Sequence, residues 1–129
     1  MRVVFDTNIF IAALVFPGGR GDAALQNILD SEDILILSTA IIKEVLSVLA
    51  AKFDRNQEEL SRVAILLADI AETVKPDQRL AVLSDEPDNR ILECAVEGKA
   101  DAIVTGDKAM LALRMFEGTQ ILSMDAYLR

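Results

Sequence analysis

The chain has 129 residues, 13 of them basic and 21 acidic, with no histidine and one cysteine, Cys94. This excludes an internal disulfide framework, a multi-cysteine zinc site and all histidine-based triads, dyads and zinc centres, and leaves carboxylates, which suit hard cations such as Mg²⁺ and Mn²⁺. A hydrophobic fraction of 52% and a mean hydropathy of +0.32 exclude disorder, and no apolar run reaches the ~18 residues of a membrane span.

Val3-Val4-Phe5 is a short apolar strand that meets Asp6 too early for a signal peptide, so a cytoplasmic location is expected. Thr7 to Leu14 reads as a short helix ended by Pro17-Gly18-Gly19. Asp22 is placed to cap a second helix, with Ala23, Ala24, Leu25, Ile28 and Leu29 at helical spacing. Ile34 to Leu37 is a second buried strand, and Ser38 and Thr39 are good cap residues for a helix from Ala40 to Lys52. The pattern breaks at Asp54–Asn56. Asn56 then caps a helix whose stripe is Leu60, Val63, Ala64, Leu67, Ala68 and Ala71.

Thr73-Val74-Lys75 is a strand candidate stopped by Pro76. Ser84 to Asn89 forms a polar loop, followed by a helix from Asn89 to Glu97 that ends on Gly98 as a C′ glycine. Ala102-Ile103-Val104 is a clear strand, Thr105-Gly106-Asp107 turns into a short helix through Leu113, Gln120-Ile121-Leu122 is a last strand, and Asp125 to Leu128 is a final helical turn. Uniformly apolar strands alternating with helices predict one α/β domain over residues 1–129. It is a three-layer sandwich with a parallel sheet of four to five strands and helices on both faces.

Ligands bind outside the carboxyl ends of strands in open α/β sheets. Asp6, Glu44, Asp88 and Asp107 all fall near such ends or on the helices that follow. Each has an ordinary role open to it. Asp6 and Asp107 can cap helices, Asp88 suits a first helical turn, and Glu44 can point to solvent from a largely apolar helix. Asn8, Asn89 and Thr105 are neutral groups near the same edge, able to orient carboxylates or water or simply to cap and turn. Ser38 favours the capping role over ligation. Four clustered acids repel one another unless a divalent cation intervenes. The chemistry they point to is metal-assisted attack of water on a phosphodiester, with one or two ions.

In this order and spacing, Val3-Val4-Phe5-Asp6-Thr7-Asn8-Ile9, Leu37-Ser38-Thr39 followed by Glu44, Asp85-Glu86-Pro87-Asp88-Asn89-Arg90-Ile91-Leu92 and Ala100 to Asp107 resemble the PIN-domain ribonucleases, closest to VapC-like toxin components. The resemblance implies an acidic Mg²⁺ or Mn²⁺ site of Asp6, Glu44, Asp88 and Asp107, with Asn8 and Thr105 in support and Asp85 as an added acid. It implies cleavage of single-stranded RNA, control by a small antitoxin protein, and often a homodimer. Arg20, Lys43, Arg90 and Lys108 are candidate phosphate contacts, with solvated surface charge the stronger role for each. The apolar helix from Ile41 to Ala51 and the Leu60–Ala71 stripe are candidate dimer or antitoxin surfaces. Met110 and Met115 are expected in the core or an interface, and Cys94 buried and inert.

Three other readings compete. A haloacid-dehalogenase-like phosphatase would use Asp6 as nucleophile, but position 8 is Asn where that family needs a second Asp. A phospho-receiver domain wants paired acids after the first strand, and Phe5-Asp6 has one. A PIN-like binding module without catalysis is the third. Assigning the four acids to a metal pocket halves the charge excess from −8 to −4, so an acidic composition does not exclude an RNA substrate.

Overall fold

A computed structural model describes residues 1–129. Its centre is a sheet of six strands: β1 (Arg2–Phe5), β2 (Ile34–Ser38), β3 (Ala71–Val74), β4 (Ala102–Val104), β5 (Met115–Phe116) and β6 (Thr119–Leu122). Their order is β3-β2-β1-β4-β6-β5, parallel throughout except for β5, which runs antiparallel to β6. Around it lie α1 (Thr7–Val15), α2 (Arg20–Asp30), α3 (Thr39–Phe53), α4 (Gln57–Ile70), α5 (Glu86–Glu97), α6 (Lys108–Ala112) and α7 (Met124–Leu128).

β1 sits between β2 and β4, with Val4 opposite both Ile36 and Ile103. Val3, Val4 and Phe5 are all completely buried. Successive strand residues point to opposite faces, so both faces of β1 are covered, which is why its sequence is apolar without alternation. The core is one cluster of 27 buried residues. Phe5 anchors it, its ring 5.7 Å from those of Phe10 in α1 and Tyr127 in α7. The Tyr127 hydroxyl donates to Asp33 Oδ2 at 2.9 Å, which gives the buried ring a partner for its polar tip.

Several local expectations hold in kind and shift in detail. Asn56 caps α4 in a reciprocal box: its Oδ1 accepts from Glu59 N–H at 2.9 Å while Glu59 Oε1 accepts from Asn56 N–H at 3.2 Å. Asp22 does not cap α2. Gly19 occupies that position, and Asp22, in the first turn, accepts from Gly18 N–H at 2.8 Å. α5 begins three residues earlier than the polar loop suggests, because Pro87 has no N–H to lose and fits a first helical turn. Gly98 follows α5 with φ −80°, not in the left-handed region; the next residue, Lys99, takes that conformation with φ 50°. Gly98 is needed for space instead, since a Cβ there would stand 2.5 Å from Ile36 Cγ2.

The sheet has one strand more than the four to five expected. β5 is two residues long, too short for any periodicity to declare, and the Glu117–Gly118 turn that returns it to β6 is left-handed at both positions. Met110 is fully buried, whereas Met115, on β5, is 58% exposed and outside the core. α1 and α2 pack closely at Gly21, where a Cβ would meet Ala12 Cβ at 2.7 Å and Ile9 O at 2.9 Å. Gly21→Ala should therefore cost about 1–3 kcal/mol through overpacking against backbone, read as a lower midpoint and unchanged slope in urea unfolding.

Candidate active site

The site begins with the sheet ladder. Asp6 N–H donates to Val104 O at 2.9 Å, and Thr105 N–H donates to Leu122 O at 3.0 Å. These bonds carry the backbone one residue past β1 and β4, so Asp6 and Thr105 stand side by side at their carboxyl ends. The Thr105 hydroxyl donates to Asp6 Oδ2 at 2.6 Å and accepts from Asp107 N–H at 3.0 Å. Asp107 in turn caps α6, its Oδ2 accepting from Met110 N–H at 2.9 Å. The capping role foreseen for Asp107 is thus real. Asp6 precedes α1 but makes no side-chain cap.

Asp88 enters from the first turn of α5 and is buried, as is Asp6. Burial pushes the Asp6 carboxyl above the usual range; the Thr105 hydrogen bond pulls against this and the Asp107 charge adds to it. Burial, followed by the charges of Asp6, Asp107 and Asp85, pushes Asp88 up to about 7. Asp6, Asp85 and Asp88 line a cleft of about 150 Å³ with Glu44, which α3 presents half-buried. Asn8 is exposed on the same cleft. Asp107 does not line it and bears on it through its charge and through Thr105.

These donors are all oxygens, two of them buried carboxylates that repel each other. That chemistry fits a hard divalent cation. No three acids stand close enough to grip an ion together as they lie, and Asp107 has one oxygen committed to the Met110 amide.

The remaining candidates are placed elsewhere. Ser38 caps α3, accepting from Ile41 N–H at 3.3 Å. Asn89 is fully buried and faces segment 75–85, which has almost no regular structure: its Oδ1 accepts from Val82 and Leu83 N–H and its Nδ2 donates to Leu83 O at 2.8 Å. It positions that segment and not the carboxylates. Arg90 is neither solvated nor free for phosphate, pairing with Glu86 and Glu93 and donating to Leu80 O at 2.9 Å. Its Nε is the one buried side-chain polar atom without a partner. Arg20 pairs with Asp125, while Lys43 and Lys108 are exposed; none of these three lines a cleft at the acids. Cys94 is buried, and burial pushes its thiol up to about 12.

Sequence reasoning missed four residues. Thr7 and Lys52 line the acidic cleft, and Arg79 lines a neighbouring cleft of about 360 Å³ that shares Thr7, Glu44 and Pro87. Glu93 is a buried acid that accepts from Leu80 N–H at 2.7 Å. Lys52 carried a usable signal, lying eight residues from Glu44 on one face of α3. Arg79 carried none.

Asp88 binds a proton in the folded chain up to about 7 and, once unfolded, only near its ordinary 3.8. Its contribution to stability is therefore lost as pH rises between those values and does not return above them. Asp88→Asn in metal-free protein should raise the melting temperature above neutrality and have little effect near pH 4, as thermal melts across pH will show.

The fold is shared with solved complexes. VapBC-1 of nontypeable Haemophilus influenzae matches with a TM-score of 0.69 at 16% identity, covering 97% of this chain and 99% of that one. VapBC2 of Rickettsia felis, bound to a DNA fragment from its promoter, matches with a TM-score of 0.64 at 12% identity, covering 95% and 98%. In sequence, an uncharacterized protein of Methanocaldococcus jannaschii is 32% identical over 118 residues, which are 88% of this chain and 76% of that protein. The PIN domain family model matches residues 2–109, a span that holds Asp6, Glu44, Asp88, Thr105 and Asp107, and the chain belongs to the PIN-domain family.

Proposed function

We propose that this chain is a divalent-metal-dependent endoribonuclease that hydrolyses single-stranded RNA, with Asp6, Glu44, Asp88 and Asp107 holding one or two Mg²⁺ or Mn²⁺ ions. The observation that carries this reading is the burial of Asp6 beside Asp88, with Thr105 bonded to Asp6 and to the Asp107 backbone. Two buried acids whose proton affinity is raised by burial and by neighbouring acids are costly as a structural device and well suited to a cation. When bound, the ion supplies charge neutralisation at the scissile phosphate and an acidified water. Thr105 fixes which Asp6 oxygen faces the cleft. Asp85, exposed at its rim, adds negative charge.

The PIN family membership and the likeness to VapBC chains over nearly their whole length support a further reading, that the chain is the toxin of a toxin–antitoxin pair held by a small antitoxin. Exposed Ile65 and Leu66 on α4 support a protein-facing surface there, for an antitoxin or for a homodimer. No helix is long and apolar enough to cross a membrane.

Asp6→Asn should leave the fold intact, as judged by its melting temperature, and reduce Mn²⁺-dependent RNA cleavage by about a hundred-fold or more. Thr105→Val keeps the shape, removes the hydroxyl, and should cost about 10- to 100-fold in activity or metal affinity. Wild-type cleavage rates in Asp6→Asn would remove Asp6 from the mechanism. Metal binding without any RNA cleavage would favour the binding-module reading.

A further inference from the structure

The larger cleft beside the acids has no role in the chemistry above. Buried Ile41, with Pro87 and Ala40 beside it, gives it an apolar side, Glu86 and Arg90 line it as well, and its volume of about 360 Å³ suits a small organic group. It adjoins the acidic cleft along α3, sharing Thr7, Glu44 and Pro87 with it. Ala40 and Ile41 belong to the larger cleft, Glu44 to both, and Val48 and Lys52 to the acidic one. From Ala40 to Lys52 the helix rises ~18 Å, so the two clefts lie along it as one track, with Glu44 shared between them.

Each of the two clefts carries a cation. Arg79 lines the larger cleft and Lys52 the acidic one. Neither makes an ion pair, and of the basic side chains that make none these two line the clefts, whereas Arg90, which also lines the larger one, is paired. Arg79 is also mounted on held backbone. Asp77 N–H donates to Glu97 Oε1 at 3.1 Å, and Leu80 is gripped at its N–H by Glu93 and at its carbonyl by Arg90. The backbone on either side of Arg79 is thus pinned while its guanidinium stays exposed, an arrangement that lowers the ordering cost of gripping an anion.

We propose that the larger cleft seats the nucleotide flanking the scissile phosphate, and that Arg79 and Lys52 are positioning residues for backbone phosphates beside the carboxylates. This rests on the ribonuclease reading and names how that site holds its substrate. The apolar side at Ile41 and Pro87 takes the base face. The two cations offset the repulsion that a polyanion meets from the acids beside them.

The test uses a short labelled single-stranded RNA of mixed sequence with Mg²⁺ present. Binding is read by anisotropy in an Asp6→Asn background, and KM and kcat in the otherwise native chain. Arg79→Ala and Lys52→Ala should each weaken binding by about three- to ten-fold and reduce the slope of log affinity against log salt by about 0.7. KM should rise with little change in kcat. Ala40 is exposed at the start of α3, so Ala40→Trp fills the cleft from its rim; it should weaken RNA binding while Mn²⁺ still raises the melting temperature. Arg62→Ala, an exposed charge on α4, should change none of these. RNA affinity and salt slope unchanged by Arg79→Ala and Lys52→Ala overturn the track even if the wild type cuts RNA. Loss of only a protein partner in Ala40→Trp gives the cleft to that partner and overturns it too. A wild type that neither binds nor cuts RNA overturns the ribonuclease reading, and the track with it.

Discussion

Like charges buried at the edge of an apolar sheet are the constraint around which this molecule is arranged. Asp6 and Asp88 are both removed from water, and both bind protons more tightly for it. A lone buried carboxylate would be expected to find a cationic partner, but Asp6 meets the Thr105 hydroxyl and the Thr7 and Asn8 amides, and Asp88 meets the charges of Asp6, Asp107 and Asp85. Thr105 is central because it donates to Asp6 while accepting from the Asp107 backbone, coupling the ends of β1 and β4 through one side chain. The cost of such a site is borne by the rigid sheet beneath it, whose central strands have no exposed apolar surface.

α5 serves both the site and its surroundings. Its first turn supplies Asp88, and Asn89, Glu93 and Glu97, at intervals of four, then run down one side of the helix. These three accept backbone N–H groups from segment 75–85, which has almost no secondary structure of its own to satisfy them. A segment of this length would lose much entropy on ordering, and a ladder of charged and amide acceptors compensates by fixing it at several points. One helix therefore sets the position of an acid in the cleft and the path of the chain that carries Arg79 past it.

The roles of neighbouring polar residues separate once they are placed. Asn89 adjoins Asp88 in sequence but turns away to hold a loop, and Ser38 spends its oxygen on a helix cap. Asp107 caps and also bears electrostatically on Asp6 and Asp88, so capping and participation in an acidic cluster are not exclusive. Arg90, a candidate phosphate contact by its neighbourhood, is drawn inward by Glu93 and the Leu80 carbonyl.

The amino-acid sequence by itself determined the elements whose patterns are long or chemically distinct. These are the apolar runs of β1, β2 and β4, the Asn56 cap, the absence of histidine chemistry, and four acids near strand ends or on the helices that follow. Burial on both faces of a strand and capping of a helix are local demands, and local residues meet them. The tertiary structure alone decided what depends on residues distant in the chain. It made β5 a strand through its pairing with β6, and required Gly98 for the closeness of Ile36 rather than for a left-handed turn. It also turned Asn89 toward segment 75–85 and brought Arg79 and Lys52 into two adjoining clefts that share Glu44. The opening charge of −8 came from sequence, but only the fold showed that several of its acids are gathered into one partly buried cleft, because burial and charge proximity are properties of folded neighbours and not of spacing.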